Sequence, residues 1–199
     1  MTVQFLTVGR LAENTYILSG EDGAVIIDPG AEYERIVRTL NGKSCTHVLL
    51  THAHIDHIGA AAKLQQSGAK VYLHEADMPL LNGRGNLSDA LGIPLEPFTP
   101  DVLLKGGETL DLPCGQVCVL HTAGHTAGSV CYVVGDALFS GDTLFYLAAG
   151  RTDFPSGSIT ALFDSIRNKL FALKGNYTVY SGHGEPTTLA FERENNPYA

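Results

Sequence analysis

The fold assignment starts from the sequence "THVLLTHAHIDHIGAAAKL", residues 46 to 64. This segment begins as an apolar run of strand length and ends in an apolar pattern of helical period. Between the two halves, three histidines and one aspartate occupy the six positions from His52 to His57, in a chain with eight histidines in all. Metal-ligand side chains crowded at the end of a strand indicate a metal site.

The spacing of these side chains predicts that one segment serves two metal positions. An extended chain after the strand projects His52, His54 and Asp56 to the same side, because side chains alternate with a period of two. Two imidazoles placed two residues apart can bind one cation. Asp56 and His57 then begin a helix, where the turn of the backbone redirects their side chains toward a neighbouring position.

The whole chain alternates between strand-like and helix-like patterns. Strand-length apolar runs occur at residues 15–20, 24–30, 47–54, 69–76, 116–124, 129–136, 137–143 and 177–184. Helical patterns occur at residues 32–40, 58–68 and 158–170, the last with Ser158 as its expected cap. This order predicts a mixed α/β fold, in which two sheets pack face to face with helices outside.

Composition narrows the class of protein. A chain of 199 residues with 44% apolar residues predicts one globular domain over residues 1–199. The net charge of −8, without runs of one sign, argues against nucleic acid or an anionic membrane as the partner and favours a small molecule. No signal peptide or membrane-length apolar stretch is evident, so we expect a cytoplasmic protein. Oligomeric state is left open.

Two further features carry weaker expectations. The four cysteines, Cys45, Cys114, Cys118 and Cys131, lack the spacing of a zinc knuckle and are interpreted as buried thiols. Residues 81–100 are rich in glycine and proline and break both periodic patterns. They predict a long surface loop, and a functional lid and a simple connector are equally consistent with it.

Three other strand ends offer metal ligands. "HTAGHTAGS" carries His121 and His125, "FSGDT" carries Asp142, and "YSGHGEP" carries His183. Each lies close to a glycine, which lets the backbone turn sharply toward a ligand. A centre with two metals needs more ligands than one loop supplies, and these segments complete the set.

The ordered motifs resemble those of the metallo-β-lactamase superfamily. His-x-His-x-Asp-His is followed by "GHT", "SGDT" and "SGHG", and the segments "ENTYIL", "IIDPG" and "GRTDFPSG" most resemble the glyoxalase II-like (hydroxyacylglutathione hydrolase-like) branch. The resemblance covers nearly the whole chain. It implies a four-layer αβ/βα sandwich with the site at the edge of the sheets, without the separate C-terminal substrate domain of two-domain glyoxalase II enzymes.

The resemblance also implies a ligand set. One metal would be held by His52, His54 and His125, the other by Asp56, His57 and His183, and Asp142 would bridge them. Zinc is the first expectation for the two divalent ions, with iron and manganese as alternatives. Asp28 in "IIDPG" would orient a ligand histidine or act as a turn residue. His121 is assigned either to a supporting position behind the ligands or to packing, and His47 and His74 are assigned to core or surface positions without a ligand role.

The implied reaction is hydrolysis of a thioester such as S-lactoylglutathione by a metal-bound hydroxide, with Asp56 orienting the nucleophile. Arg151 and Tyr146 are the candidate substrate-binding residues. This chain has "GRTDF" where two-domain glyoxalase II enzymes typically have a lysine and a tyrosine, so pairing of Arg151 with Asp153 is an equal alternative.

Other functions stay open on the sequence. "GRTDF" also occurs in persulfide dioxygenases, in which one iron would be held by His52, His125 and Asp142. Lactone or β-lactam cleavage would use the same chemistry as thioester hydrolysis. A metal-binding protein without catalysis is the least favoured alternative, since a purely structural site is usually closed by its ligands.

Overall fold

The computed structural model describes residues 2–81 and 84–198, which form two six-stranded mixed sheets. The first sheet contains, in spatial order, β1 (Thr2–Val8), β2 (Glu13–Ser19), β3 (Ala24–Ile27), β4 (Cys45–Leu49), β5 (Lys70–His74) and β6 (Val102–Leu104). The later strands are β7 (Thr109–Leu112), β8 (Gly115–His121), β9 (Val130–Val134), β10 (Ala137–Gly141), β11 (Leu144–Phe145), β12 (Ala148–Ala149), β13 (Thr178–Ser181) and β14 (Thr187–Thr188). The second sheet has the order β14-β13-β10-β9-β8-β7, and β11 pairs with β12 in a separate ribbon.

The helices lie between these strands in the chain. They are α1 (Tyr33–Thr39), α2 (Ile55–Ile58), α3 (Ala61–Gln66), α4 (Ser88–Leu91), α5 (Ile159–Asp164) and α6 (Leu189–Asn195). Two 3-10 segments cover Glu75–Leu81 and Arg84–Asn86, and α5 continues as a wider π-helix over Ser165–Leu170.

Side-chain alternation along the central strands builds three apolar layers. In β3, Val25 and Ile27 pack between the two sheets, while Ile26 packs on the outer side with α1 and α3. In β10, Phe139 faces the space between the sheets and Leu138 packs on the opposite side with α5. Strands buried on both faces are continuously apolar, which explains their sequence. The predicted four-layer sandwich is confirmed.

The structure also corrects the predicted elements. The predicted helix over residues 58–68 begins earlier, at Ile55, and is divided into α2 and α3. The Ser158 cap is confirmed, since its hydroxyl accepts a hydrogen bond from the Ala161 amide. Among the described elements, six strands and two helices were not predicted: β1, β6, β7, β11, β12, β14, α4 and α6. Strand β1 lies at the edge of its sheet and is mostly exposed, so its sequence lacks the pattern of a buried strand.

Residues 81–100 differ from a plain loop. They contain the 3-10 segment Arg84–Asn86 and helix α4, although Asn82 and Gly83 lie outside the described residues. Among the cysteines, Cys131 is buried and Cys45 and Cys114 are half-buried, but Cys118 is exposed, so the expectation of buried thiols is wrong there. Strand β8 places Cys118 on its outward side, between the buried Val117 and Val119. Across the described residues, we find no helix with the length and apolar character needed to span a membrane.

The direction of the strands determines where the site lies. Strands β3 and β4 are parallel neighbours in the first sheet, and β10 and β13 are parallel neighbours in the second. Parallel strands end at the same edge of a sheet. The residues that follow these four strands therefore meet at one edge of the sandwich.

Candidate metal centre

Side chains from both sheets converge at this edge. His52 and His54 follow β4, Asp142 follows β10, and His183 follows β13. His125 lies in the turn between β8 and β9. All seven candidate ligands from the sequence thus come together, although they lie up to 131 positions apart, from residue 52 to residue 183.

The candidate ligands form two groups. His52, His54 and His125 are buried, and each offers a nitrogen within 4.8 Å of the others. His54 Nδ1 lies 2.9 Å from His125 Nε2. Three nitrogen donors at this separation can hold one ion and leave a position open, as catalytic zinc sites do.

The second group has the same compactness. Asp56, His57 and His183 offer ligand atoms that also lie within 4.8 Å of one another. The Asp56 Oδ2 atom is 3.3 Å from His183 Nε2 and 3.7 Å from His57 Nε2. This group could hold a second ion with one carboxylate and two imidazoles.

Asp142 lies between the two groups. Its Oδ1 atom is 3.5 Å from His57 Nε2, and its Oδ2 atom is 3.5 Å from His125 Nε2. One carboxylate therefore reaches both candidate positions with different oxygens. Gly182 gives it space, because a Cβ atom there would lie 2.3 Å from Asp142 Oδ1.

A layer of hydrogen bonds behind the histidines selects their tautomers. Asp28 accepts hydrogen bonds from the Thr51 amide (2.7 Å), the Thr51 hydroxyl (2.6 Å) and His57 Nδ1 (3.0 Å). Since the Thr51 hydroxyl gives its one hydrogen to Asp28, it accepts from His52 Nδ1 at 3.0 Å. In their neutral forms both histidines therefore direct their Nε2 lone pairs toward the centre. His125 does the same, because its Nδ1 donates to the Arg151 carbonyl at 2.7 Å.

The inward atoms fit a metal. Among the described residues, His52 Nε2, His57 Nε2 and Asp142 Oδ1 are buried and have no hydrogen-bond partner. Leaving a buried polar atom unpaired costs about 1–3 kcal/mol. Bound cations would satisfy these three atoms, because divalent metals bind nitrogen lone pairs and carboxylate oxygens.

Electrostatics favours the ligating forms of His52, His54 and Asp56, whereas nearby carboxylates outweigh burial and raise the pKa of His57 and His183, so a cation would displace a proton from each of these two rings. Burial and neighbouring histidines hold the pKa of His52 well below its ordinary value, and burial and His125 lower the pKa of His54 to about 3. Both rings are therefore neutral. Burial alone would raise the pKa of Asp56, but His57 and His183 hold it below its ordinary value, so this carboxylate is ionised.

A third compact group, formed by Asp28, His52 and His57, is not a separate metal site. Its atoms also lie within 4.8 Å of one another. Both oxygens of Asp28 already accept hydrogen bonds from Thr51, and one also accepts from His57. Asp28 thus belongs to the layer behind the ligands, and the orienting role that we considered for it matches this geometry.

A cavity of about 460 Å³ opens above the centre. Its floor contains candidate ligands from both groups, and its wall is largely apolar. The apolar wall is formed by Leu11, Leu87, Ala90, Leu91, Phe145 and Phe154. Three of these residues, Leu87, Ala90 and Leu91, belong to the described part of the 81–100 segment, which therefore forms part of the cavity wall.

The two candidate substrate-binding residues have different positions. Arg151 lines the cavity, and its guanidinium makes two hydrogen bonds with Asp153, at 2.7 and 2.6 Å, while it stacks over the Phe154 ring. Tyr146 is not among the residues that line the cavity. It is 53% exposed and stacks on Phe191, whereas its neighbour Phe145, at the end of β11, faces the cavity.

The remaining histidines lie apart from the candidate ligands. His121 and His74 stack on each other with ring centroids 4.1 Å apart, and His121 Nε2 donates to the Ala127 carbonyl. His47 is half-buried and hydrogen-bonds the Thr46 hydroxyl. These contacts match the roles outside the ligand set that were expected from the sequence.

Sequence reasoning missed several residues that support the site. Asn14 Nδ2 donates to the carbonyls of Ser181 and Gly184 and so holds the turn that carries His183. Thr51 and Asp77 hydrogen-bond the segments that carry the other histidines. Asn14 lies in "ENTYIL", a segment that the family resemblance already included, which was the available signal.

Fold and site together define a metallohydrolase of the metallo-β-lactamase superfamily. A family model described as the metallo-beta-lactamase superfamily matches residues 8–183, and the chain belongs to this family. One relative, from Haemophilus influenzae, is the hydroxyacylglutathione hydrolase GloC. It is 35% identical over 207 residues, an alignment that covers all of this chain and 98% of GloC. The predicted resemblance is thereby confirmed.

Solved structures agree with this family. The BLEG-1 B3 metallo-beta-lactamase has a TM-score of 0.91 and 36% identity, with 99% of both chains covered. The protein TTHA1623, solved in a di-iron-bound form, has a TM-score of 0.90 and 38% identity, with 98% of this chain and 100% of that chain covered. The described sandwich is therefore the family fold over its full extent.

We expect that His52→Ala or Asp142→Ala will lower the amount of metal bound by the purified protein and abolish its activity, because each removes a ligand. His47→Ala is the matched control, since His47 lies on β4 just before the ligand segment and its ring contacts Thr46 and Tyr72, which are not candidate ligands. Elemental analysis after gel filtration measures the outcome. Metal content equal to that of the wild type in both ligand variants would reject the assignment.

Proposed function

We propose that this protein is a binuclear metallohydrolase that cleaves acyl thioesters, with S-lactoylglutathione as the first substrate to test. The observation that carries the proposal is the pair of ligand groups with Asp142 within 3.5 Å of a histidine in each. The name of the relative GloC supports the thioester substrate, and the di-iron form of TTHA1623 supports two metal positions.

The chemistry of the bound ions suits this reaction. A divalent ion lowers the pKa of a coordinated water to about 7, far below that of free water, and polarises a carbonyl oxygen. We propose zinc first, while iron and manganese suit the same nitrogen and oxygen donors. The protein's own residues then have to position the water and the substrate.

Asp56 is the residue that we assign to water. Its carboxylate is ionised, and its side chain is 13% exposed at the floor of the cavity, where a water molecule can reach it. The second oxygen of a carboxylate that ligates through one oxygen can accept a hydrogen bond. Asp56 would thus orient the attacking water and receive its proton. No serine or cysteine nucleophile is required.

The apolar wall suits the acyl part of a substrate. Leu87, Leu91 and Phe154 can contact an acyl chain and exclude bulk water from the carbonyl. Water exclusion strengthens the electrostatic interactions at the reacting atoms. A lactone or a β-lactam would meet the same floor, so these substrates belong in the first assays.

The rival function is a persulfide dioxygenase with one iron held by His52, His125 and Asp142. In that reaction His183 would have no metal to bind. Hydrolysis is favoured because Asp56, His57 and His183 form a second compact group with inward-facing donors. Free electron pairs at both groups support two ions rather than one.

We expect that the metal-loaded protein releases free thiol from S-lactoylglutathione and takes up no oxygen with glutathione persulfide. His183→Ala should lower the thiol release at least tenfold, because it removes a ligand of the second position only. A thiol-reactive dye and an oxygen electrode measure the two reactions in parallel. Oxygen uptake that His183→Ala leaves intact would instead establish the dioxygenase.

Arg151 can contribute to substrate choice. We propose that its guanidinium meets the leaving group at the cavity mouth, where Asp153 competes for it through two hydrogen bonds. The Phe154 ring beneath keeps the guanidinium in place when this partner is lost. Tyr146 does not line the cavity and stacks on Phe191, so it would act only indirectly, as the chain neighbour of Phe145.

We therefore expect that Asp153→Asn raises kcat/KM for thioesters whose leaving group carries a carboxylate by about threefold, a surface-pair effect. The same variant should leave kcat/KM for a neutral thioester unchanged, since that substrate has no carboxylate to bind the guanidinium. Arg151→Gln removes the guanidinium instead of its competitor. It should lower kcat/KM for the carboxylated thioester only. Equal effects on both substrates would contradict a role in recognition.

A further inference from the structure

Asp77 is a buried carboxylate that does not belong to the candidate ligands. Asp77 lies in the 3-10 segment Glu75–Leu81 that follows β5, and its exposed fraction is 0%. Within the described residues it forms no salt bridge that would offset its charge. Burying an unpaired charge is costly, so a carboxylate at this position needs compensating hydrogen bonds.

Those hydrogen bonds come from two other segments of the chain. Asp77 Oδ2 accepts from the Ala53 amide at 2.9 Å and from the Thr126 hydroxyl at 2.8 Å. Asp77 Oδ1 accepts from the Gly128 amide at 2.7 Å. Gly128 allows this approach, because a Cβ atom there would lie 2.6 Å from Oδ1.

The two segments are the ones that carry the first ligand group. Ala53 lies between His52 and His54, and Thr126 follows His125. The first segment extends from the first sheet and the second from the second sheet, so their spacing depends on contacts between them. Asp77 hydrogen-bonds both segments through Ala53 and Thr126, which are the chain neighbours of the three histidines.

We infer that Asp77 is a positioning residue that sets the spacing of His52, His54 and His125, and through it the metal affinity of the first position. The inference rests on the proposed metal centre. Buried carboxylates that accept several hydrogen bonds are rigid. A rigid ligand backbone raises the affinity for the metal, because less conformational freedom is lost on binding. Asp77 thus acts from behind the site, at the main chain rather than at the imidazoles.

The substitution Asp77→Asn tests this inference. The amide has nearly the same shape, but its NH2 group replaces an acceptor, so one of the three donors faces another donor. We expect the dissociation constant of the metal at the first position to rise about tenfold or more, as for other residues that support ligands. A competition titration of the apo-protein with zinc and a chromophoric chelator measures both dissociation constants directly.

Asp101→Asn is the matched control. Asp101 Oδ2 also accepts two hydrogen bonds, from the Val71 amide and from Gln65 Nε2, both at 2.8 Å; it directly precedes β6, and both partners lie outside the ligand segments. This variant should lose some stability to urea while it keeps both zinc dissociation constants. Thr126→Val is a milder second variant, which removes one donor to Asp77 and should weaken the first position to a smaller extent.

The outcomes separate this inference from the proposed function. Weaker zinc at one position in Asp77→Asn and Thr126→Val, with Asp101→Asn unchanged, supports a positioning role. Wild-type affinity in folded Asp77→Asn and Thr126→Val, or equal weakening in Asp101→Asn, would overturn it while the metal centre stands. A wild-type protein that binds no zinc, iron or manganese would overturn the centre itself.

Discussion

The candidate metal centre depends on buried histidine nitrogens and a carboxylate oxygen whose lone pairs face the same space. Asp28 and Thr51 accept the Nδ1 hydrogens of His57 and His52, so in the neutral rings the Nε2 lone pairs face a space that also contains Asp142. Such an arrangement is unfavourable unless cations fill that space. The hydrogen bonds behind the ligands therefore define the centre as much as the ligands do, and metal binding and local folding are coupled.

The sandwich brings this arrangement together from distant parts of the chain. Parallel pairing of β3 with β4 and of β10 with β13 places four strand ends at one edge, and the apolar layer between the sheets keeps the two edges in register. Tyr16 and Tyr132 reinforce that layer, since their buried hydroxyls donate to carbonyls of the opposite sheet's ligand segments, at Ser181 and Leu50. Packing and catalysis thus share the same strands.

Much of the fold and the site could be predicted from sequence. The doubly buried strands have continuous apolar runs, and the ligands stand in short motifs with glycines. Edge strand β1 could not be predicted, because exposure removes the pattern. Asp77 was equally hidden, because its partners lie 24, 49 and 51 residues away and no local pattern marks them. The sequence predicted Tyr146 at the cavity, whereas Phe145 lines it. The side that each side chain faces is determined by the ribbon of β11 and β12, whose strands of two residues are too short to show a periodic pattern.

The central claim is that two cations occupy defined positions at this edge. Crystals of the metal-loaded protein, measured on both sides of the absorption edge of the loaded metal, locate the ions directly. We predict two anomalous peaks, one among His52, His54 and His125 and one among Asp56, His57 and His183. Asp142 should contact the ions at both peaks. A single peak, or peaks away from these side chains, would contradict it.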